Sequence, residues 1–410
     1  MIHIRIFVFL LSLLSLVGLV HAEEKSENII VGTIDTIHSN VLNEDRKIWV
    51  HVPKPKAGRG PEKSVYPVVY LLDGSDHFHS MMGLMERLCR GDGYPCPEMI
   101  LVAVTHNNRT RELTPTKAGS VMAPEKIQEN SGGGEAFSAF LEKELIPYIN
   151  AKYPVAPYRV MVGHSLGGLA VFQTLLHHTK LFDAYLAIDP SLWWDNALTA
   201  RQMEAAIKDG RLTNKSLYLA VANTLKNGLQ FDQARSATDN GSAHIRAMLR
   251  VADMLDAQPQ KNFHWKWKYY PEENHGSIPV IAEYDALQFL FDFYKIADTE
   301  RLYDEKVDGA LELKQHFEKV SQRLGYQQFP KLSFVNMMGQ HFLNEKKLKN
   351  AHDFLELNVK NYPNNPLSYE GMGDYYQAAG EQAKAKEAYQ QAVNLDANSR
   401  AKEKLEKLTK

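Results

Sequence analysis

The stretch that decides the fold lies near the middle of the chain. Residues 158–172 read Tyr158-Arg159-Val160-Met161-Val162-Gly163-His164-Ser165-Leu166-Gly167-Gly168-Leu169-Ala170-Val171-Phe172. The first part is β-branched and apolar, the middle is Gly-His-Ser-Leu-Gly, and the last part has apolar residues at helical spacing. This order predicts a strand, a sharp turn and a helix.

Ser165 stands at the apex of the predicted turn. Glycine is expected at Gly163 and Gly167 because a side chain at either position would collide with the neighbouring strand or helix. Such a turn holds the serine in a strained backbone conformation and lifts its hydroxyl to the positive end of the helix. Ser165 is therefore predicted to be a nucleophile.

The rest of the first three quarters of the chain alternates between strand and helix patterns. Apolar runs at 68–72 and 100–104 are nearly continuous, which is typical of strands buried on both faces. Further strands are predicted at 184–188, 216–221 and 263–269, with helical patterns between them. Segments 29–34 and 47–52 are expected to pair as an antiparallel entry to the sheet. The fold class predicted is α/β, with a mostly parallel sheet covered on both sides.

The N-terminus resembles a secretory signal. One arginine, Arg5, precedes an apolar run at 6–20, and Val20-His21-Ala22 offers small residues where a signal peptidase cleaves. The run is short for a membrane-spanning helix and is followed at once by Glu23-Glu24-Lys25. Residues 1–22 are predicted to be a cleaved signal peptide of a periplasmic or secreted protein without stable membrane insertion, the alternative being an uncleaved anchor.

Charge and cysteine content narrow the possible functions further. The net charge is −2, and no run of Lys or Arg interleaved with aromatics indicates nucleic-acid binding. The chain has two cysteines, Cys89 and Cys96, which in an exported protein are expected to form a disulfide, or else to be two buried thiols. Neither pattern predicts a metal site or a cofactor.

A different periodicity begins near residue 300. Met338-Gly339-x-x-Phe342 recurs as Met372-Gly373-x-x-Tyr376, and Ala351 recurs as Ala385. This spacing resembles the 34-residue tetratricopeptide repeat, although neither copy has the usual tryptophan. The repeats are predicted at 332–365 and 366–399, with 400–410 as a closing helix and helices within 304–324 completing the stack. The alternative is an unrelated helical tail.

Acyl transfer by a serine needs a base, a group that orients the base, and donors for the oxyanion. His275 is the best candidate for the base because it follows the last clear strand, where hydrolases of this build carry their histidine. The other histidines weighed, which lie inside predicted elements, are expected to be packing or surface residues: His164, His177, His178 and His264.

Several motifs resemble one esterase family of the α/β-hydrolases, which includes S-formylglutathione hydrolase and siderophore esterases of the enterochelin and salmochelin type. The matching pieces are residues 70–74, 111–115, 132–137, 163–168, 191–194 and 275–277, in the family's order. The resemblance extends from Ile29 to about Tyr294. It implies that Ser165 is the nucleophile, that His275 is the base, and that the backbone N–H groups of Leu166 and Ser75 bind the oxyanion.

The acidic residue that should orient the base is the point at which the sequence departs from the family pattern. The usual position lies just past the strand at 216–221, but the residues there are Ala222-Asn223-Thr224-Leu225. Three alternatives follow: Asp189 at the end of the preceding strand, Asp232 or Asp239 further along the loop, or a Ser-His dyad. Asp189 is the preferred candidate, although it is also placed to cap the turn into Pro190.

Substrate contacts are predicted on loops at the reactive face. Trp193 and Trp194, with Phe78 and His79, are candidates for an apolar wall, or else for core aromatics. Arg111 and Arg109 are candidates for binding an anionic ester or a catecholate, although internal pairing of Arg111 with Glu112 or Glu135 is the slightly favoured alternative.

The sequence thus predicts an exported serine esterase with a signal peptide at 1–22, an α/β-hydrolase domain at 23–299 and a helical repeat domain at 300–410. The substrate is expected to be a small-molecule ester. The concave face of the repeats is expected to bind a protein or peptide partner, or to pack on the catalytic domain. The alternative functions are a catalytically weakened scaffold on the same fold and an acyltransferase.

Overall fold

The computed structural model describes residues 28–54, 65–90, 95–117, 129–226 and 228–409. The predicted signal peptide at 1–22 lies outside these ranges. Eight strands form one sheet in the spatial order β1-β2-β4-β3-β5-β6-β7-β8. The strands are β1 (Thr33–Ser39), β2 (Glu44–His51), β3 (Tyr66–Leu71), β4 (Ile100–Val104), β5 (Val155–His164), β6 (Ala184–Ile188), β7 (Ser216–Ala222) and β8 (His264–Tyr270).

Strand direction follows the prediction of a mostly parallel sheet. Strand β2 pairs antiparallel with β1 and β4, and all pairs from β4 through β3, β5, β6 and β7 to β8 are parallel. Every residue of β3, β4, β6 and β7 is buried. The continuous apolar runs in the sequence therefore mark strands covered on both faces.

Helices cover the two faces of the sheet. Those of the α/β region are α1 (Gly74–Leu88), α2 (Arg109–Leu113), α3 (Gly134–Phe140), α4 (Ile146–Lys152), α5 (Leu166–His177), α6 (Trp194–Lys208), α7 (Ala243–Ala257) and α8 (Ile278–Leu290). A π-helical turn at Leu141–Leu145 joins α3 to α4, so Pro147 lies in the first turn of α4 and does not end the helix. Proline is tolerated there because the first N–H groups of a helix have no intrahelical acceptor.

The N-terminal hairpin is shifted from its predicted position. Strand β1 begins at Thr33, and Ile29 and Ile30 before it are 92% and 67% exposed. The register pairs Thr33 with Val50 and Ser39 with Glu44, so β2 determines where β1 starts. The prediction from local apolar content placed the strand at 29–34, several residues before its actual position, because local composition does not show which residues pair with β2.

The predicted disulfide is confirmed. Cys89, directly after α1, is bonded to Cys96, which is completely buried. The bond ties the end of α1 to the segment that leads into β4. Residues 91–94 at the tip of this loop lie outside the described residues.

The chain after residue 300 is helical. Its helices are α9 (Gly309–Leu324), α10 (Leu332–Asn344), α11 (Leu348–Asn361), α12 (Pro366–Ala378), α13 (Gln382–Leu395) and α14 (Ala401–Thr409). The pair α10–α11 and the pair α12–α13 have boundaries that differ by the predicted period. Gly339 and Gly373 occupy equivalent positions, where a Cβ would lie 2.5 Å from Leu355 and 2.4 Å from Tyr389. Their assignment to the tetratricopeptide type stays a prediction.

Helix α9 joins the helical region to the sheet. Arg323 donates a hydrogen bond of 2.8 Å to the Ser216 hydroxyl at the start of β7, and His316 lies 3.1 Å from the carbonyl oxygen of Tyr294. On its other side, Gly309 packs against the Phe354 ring of α11. The helical region is therefore packed on the sheet region through α9. The boundary at 299/300 stays a prediction.

None of the helices in the described ranges combines the length and the apolar character that a membrane span requires.

Glu283, on α8, is a buried acidic residue whose environment could not be predicted from the sequence. Its side chain is completely buried, and within the described part of the chain neither carboxylate oxygen has a hydrogen-bond partner. The nearby Ser80 hydroxyl donates its proton to the carbonyl oxygen of His77 at 2.9 Å. That proton is therefore not donated to the Glu283 carboxylate. Burial raises the pKa of Glu283 to about 8, which keeps the carboxyl protonated at neutral pH.

Replacement of Glu283 by glutamine is expected to change how stability depends on pH. A carboxyl whose pKa is raised from 4.5 to about 8 on folding makes the wild-type protein less stable as pH rises between these values. The slope is about 1.4 kcal/mol per pH unit. Urea unfolding at several pH values should show that Glu283→Gln lacks this slope, whereas Glu142→Gln, at an exposed position, retains it. Parallel curves for wild type and Glu283→Gln would contradict the prediction.

Candidate active site

The turn around Ser165 has the predicted geometry. Strand β5 ends at His164, α5 begins at Leu166, and Ser165 between them has φ 59° and ψ −116°. A Cβ on Gly163 would lie 2.4 Å from the carbonyl of Gly167, so glycine is required at this position. A positive φ is rare for serine and marks a strained position, as expected for a nucleophile turn.

Three side chains from distant parts of the chain meet at this turn. His275, in the loop between β8 and α8, lies with Nε2 3.0 Å from Ser165 Oγ. Its Nδ1 lies 2.5 Å from Asp189 Oδ2, and Asp189 directly follows β6. With the Nδ1 proton donated to Asp189, Nε2 has its lone pair directed at the serine hydroxyl.

Asp189 is an ionised carboxylate in the interior. It is completely buried and has a positive φ of 39°. Burial alone would raise its pKa, but hydrogen bonds from His244 and His275 outweigh that effect and hold the pKa well below its usual range. The backbone N–H of Ala222 donates to Oδ1 at 2.9 Å. The last residue of β7, next to the usual position of the family's acid, thus donates a hydrogen bond to the carboxylate that follows β6.

The other candidates for the acid have different contacts. Asp239 accepts hydrogen bonds from the N–H of Ser242 at 3.1 Å and from its hydroxyl at 2.8 Å, and so caps a short helix before α7. Asp232 lies in the 3-10 helix Phe231–Arg235. The geometry therefore favours Asp189 over both residues, and over a Ser-His dyad.

His164 has a more specific place than the packing or surface position predicted for it. Its Nε2 lies 2.8 Å from the carbonyl oxygen of His275, and the two rings are 4.6 Å apart. Burial, with His275 and His77 nearby, lowers the pKa of His164 to about 4. The neutral ring donates its N–H to this carbonyl and holds the loop that carries His275. No local pattern could predict this contact, because it depends on where that loop returns to the sheet.

The other three histidines predicted to be packing or surface residues have partners other than Ser165. His177 contacts Gln202, His178 pairs with Glu135, and His264 pairs with Asp292. The expectation of packing or surface positions is met for these three.

The predicted oxyanion donors lie at the starts of two helices. Leu166 is the first residue of α5, and Ser75 is the second residue of α1. The first N–H groups of a helix have no intrahelical acceptor, so both are suited to bind an anion. The two turns are neighbours, since a Cβ on Gly167 would lie 3.1 Å from the carboxylate of Asp73. The role of Leu166 and Ser75 stays a prediction.

The two arginines proposed for substrate binding are partly exposed, and both are paired with carboxylates of the protein. Arg111 donates to both oxygens of Glu44 at 3.0 Å and lies 3.4 Å from Glu112. Arg109 contacts both oxygens of Asp73, at 2.5 and 2.8 Å, and the carbonyl of His164 at 3.1 Å. Internal pairing is therefore the better interpretation of Arg111. The sequence could not show that Glu44, on β2, is the main partner.

The two tryptophans differ in position. Trp194 is buried, and its Nε1 donates to the Thr116 hydroxyl at 3.2 Å, which makes it a core residue instead of a substrate wall. Trp193 is partly exposed and lines a cleft of about 740 Å³ beside α7. Arg246, Arg250 and Met254 also line this cleft.

The side chains of Asp189, His244 and His275 each bring one potential metal ligand atom within 4.8 Å of the others. The two ring nitrogens lie 2.9 and 2.5 Å from the same carboxylate oxygen, which are hydrogen-bond distances. We interpret the cluster as a hydrogen-bonded network.

A mostly parallel sheet, a serine in the turn after β5, an acid after β6 and a histidine after the last strand together define an α/β-hydrolase. The chain belongs to the family described as "Putative esterase", whose profile matches residues 39–277, more than half of the chain. The protein is therefore a hydrolase of the esterase type that acts on esters.

Curated relatives include siderophore esterases. The ferri-bacillibactin esterase BesA of Bacillus subtilis is 29% identical over 265 residues, covering 60% of this chain and 86% of the relative. The siderophore triacetylfusarinine C esterase of Aspergillus fumigatus is 25% identical over 178 residues, covering 40% of this chain and 56% of the relative.

Among solved structures, an IroE-like serine hydrolase from Shewanella oneidensis matches with a TM-score of 0.67 and 29% identity, covering 80% of this chain and 99% of that one. An uncharacterised protein from Capnocytophaga ochracea matches with a TM-score of 0.61 and 18% identity, covering 92% of this chain and 99% of that one. The second match concerns the fold alone.

Proposed function

We propose that the protein is an exported serine esterase that cleaves siderophore-type carboxylic esters through an acyl-enzyme. The observation that carries the proposal is the continuous hydrogen-bonded chain from Ser165 Oγ through His275 to Asp189. The names of the curated relatives support the substrate class. Export is inferred from the sequence of residues 1–22 alone.

The geometry suits a two-step reaction. His275 Nε2 takes the hydroxyl proton as Ser165 Oγ attacks the ester carbonyl, and the resulting imidazolium is stabilised by the Asp189 carboxylate. The oxyanion is bound by the N–H groups of Leu166 and Ser75. The imidazolium then donates its proton to the departing alcohol. In the second step His275 activates water, which releases the acid and regenerates the serine.

Access to the site suits a bulky substrate. The side chain of His275 is 43% exposed, so the base is open to solvent although its acid is completely buried. Trp193, which lines the cleft beside α7, follows Ser191 by two residues, and Ser191 Oγ lies 3.4 Å from Ser165 Oγ. We infer that this cleft receives part of the substrate.

The helical region is proposed to pack on the catalytic region through α9 and to present its other helices to a protein or peptide partner. Contacts of Arg323 and His316 with the sheet region support the first part. The partner is inferred only from the resemblance to tetratricopeptide repeats.

The experiment that tests the function is a panel of esters assayed on the mature protein. We expect p-nitrophenyl butyrate to give a burst of p-nitrophenol equal to the concentration of enzyme. Ferri-bacillibactin and triacetylfusarinine C are expected to be cleaved with kcat/KM at least about tenfold higher, because differential binding of the larger substrate stabilises the transition state.

The possible outcomes separate the competing functions. A burst with the simple ester but no cleavage of either siderophore would retain the esterase and reject the siderophore class. No burst with any ester would favour a scaffold that has lost activity, the alternative function predicted from the sequence.

A further inference from the structure

The carboxylate that orients the base has a second histidine bound to it. Oxygen Oδ2 of Asp189 lies 2.5 Å from His275 Nδ1 and 2.9 Å from His244 Nε2. His244 is the second residue of α7, and its side chain is only 10% exposed. The two imidazole rings are 5.3 Å apart and nearly perpendicular, with an angle of 83°.

The directions of these hydrogen bonds follow from the charge of Asp189. The carboxylate is ionised and can only accept, so each imidazole must bring an N–H to Oδ2. The N–H of Ala222 donates to the other oxygen, Oδ1. Three donors from three different elements therefore fix the carboxylate, and His275 is the only one of them that contacts Ser165.

We propose that His244 is a positioning residue of the esterase. It holds Oδ2 of Asp189 at hydrogen-bond distance from Nδ1 of His275 and limits how strongly the carboxylate attracts the His275 proton. This inference rests on the proposed function, since it concerns the catalytic base. His244 acts through Asp189 and does not touch the reacting atoms.

Loss of the His244 donor would have two physical consequences. The carboxylate would be free to rotate about its Cβ–Cγ bond, so the lone pair of His275 Nε2 would point less often at Ser165. The negative charge on Oδ2 would also be less compensated, so the imidazolium of His275 would be stabilised. Since only the neutral imidazole is a base, activity would require a higher pH.

A packing role for His244 makes a different prediction. If the ring only fills space beside Asp189, any side chain of similar volume would serve, and the pH profile would not move. Among the described residues, the titratable groups in contact with this pair of rings are Asp189 and His164, and both are unchanged in the variants proposed below.

Two variants of His244 separate these roles. Glutamine places an amide N–H close to the position of the imidazole Nε2, whereas leucine keeps the bulk and has no donor. For hydrolysis of p-nitrophenyl butyrate, we expect His244→Leu to lower kcat about tenfold to hundredfold, corresponding to one charged hydrogen bond, with KM within about twofold. The acidic limb of its kcat/KM profile should move to higher pH by about half to one unit.

His244→Gln is expected to restore kcat to within about threefold of wild type, with the acidic limb at its original pH. His352→Leu, on α11 in the helical region, serves as the matched control and should retain the wild-type profile. Equal kcat values for the leucine and glutamine variants, with the acidic limb unmoved in both, would overturn the proposal.

A readout that does not depend on turnover distinguishes failure of this proposal from failure of the proposed function. The proton between His275 Nδ1 and Asp189 Oδ2 should give a low-field NMR signal in wild type and in His244→Gln. The signal should be shifted or lost in His244→Leu. If the wild-type protein shows these NMR signals but has no esterase activity, the proposed function is rejected and the contact between His244 and Asp189 is still supported. If the signal is unchanged in His244→Leu, the positioning role is rejected.

Discussion

Replacement of Ser165 by alanine is expected to lower kcat/KM for p-nitrophenyl butyrate by at least about 10⁴-fold. The substitution removes Oγ of Ser165, which lies 3.0 Å from Nε2 of His275. Alanine keeps the Cβ, so the strain at φ 59° and the packing of the turn are the same in both proteins. The loss of activity would therefore report on the hydroxyl itself.

Covalent labelling provides the direct measurement. A fluorophosphonate should modify wild-type protein at Ser165, as shown by peptide mass spectrometry, and should not modify Ser165→Ala. Ser191→Ala is the matched control, because it removes a hydroxyl only 3.4 Å away and should still be labelled. Labelling that persists in Ser165→Ala, with turnover retained, would show that another residue is the nucleophile.

Replacement of Asp189 by asparagine is expected to lower kcat by about 10³-fold to 10⁴-fold. Asn accepts the positive φ of 39° readily, so the backbone should be preserved. Its amide group, however, has one acceptor where the carboxylate has two. If the amide oxygen accepts from Ala222, the NH₂ group faces His275 Nδ1 and selects the tautomer that presents an N–H to Ser165. That tautomer has no lone pair for the serine proton.

Asp239→Asn is the matched comparison for the acid. Asp239 caps the short helix before α7, and asparagine is an equally good N-cap residue, so kcat should stay within about threefold of wild type. Both variants should be assayed for kcat and for thermal unfolding. Comparable activity in the two variants would mean that Asp189 is not required and would favour a Ser-His dyad.

Much of the active site could be predicted because its parts lie at the ends of strands. The run before Ser165 and the run after Tyr66 were recognisable as buried strands, and parallel strands bring their carboxyl ends to one edge of the sheet. The loop after the last strand was the natural place for the base. These inferences needed only local pattern and a general rule of α/β folds.

The contacts that support these side chains could not be predicted in the same way. His244 lies 55 residues from Asp189 in the chain, and His164 bonds to a backbone carbonyl 111 residues away. Arg111 pairs with Glu44, a residue of the antiparallel hairpin whose register the sequence did not show. Each contact depends on how a helix or loop is seated on the sheet, which no local periodicity records.

The strand, turn and helix around Ser165 follow from local sequence, because the glycine positions and the apolar periodicity that produce this unit all lie within residues 158–172. Local sequence also determined the order of strands and helices, and with it the class of fold. Which carboxylate contacts His275, by contrast, follows from the fold as a whole. That choice depends on the end of β6 lying beside both the N–H of Ala222 and the start of α7, an arrangement set by packing between segments that are far apart in the chain.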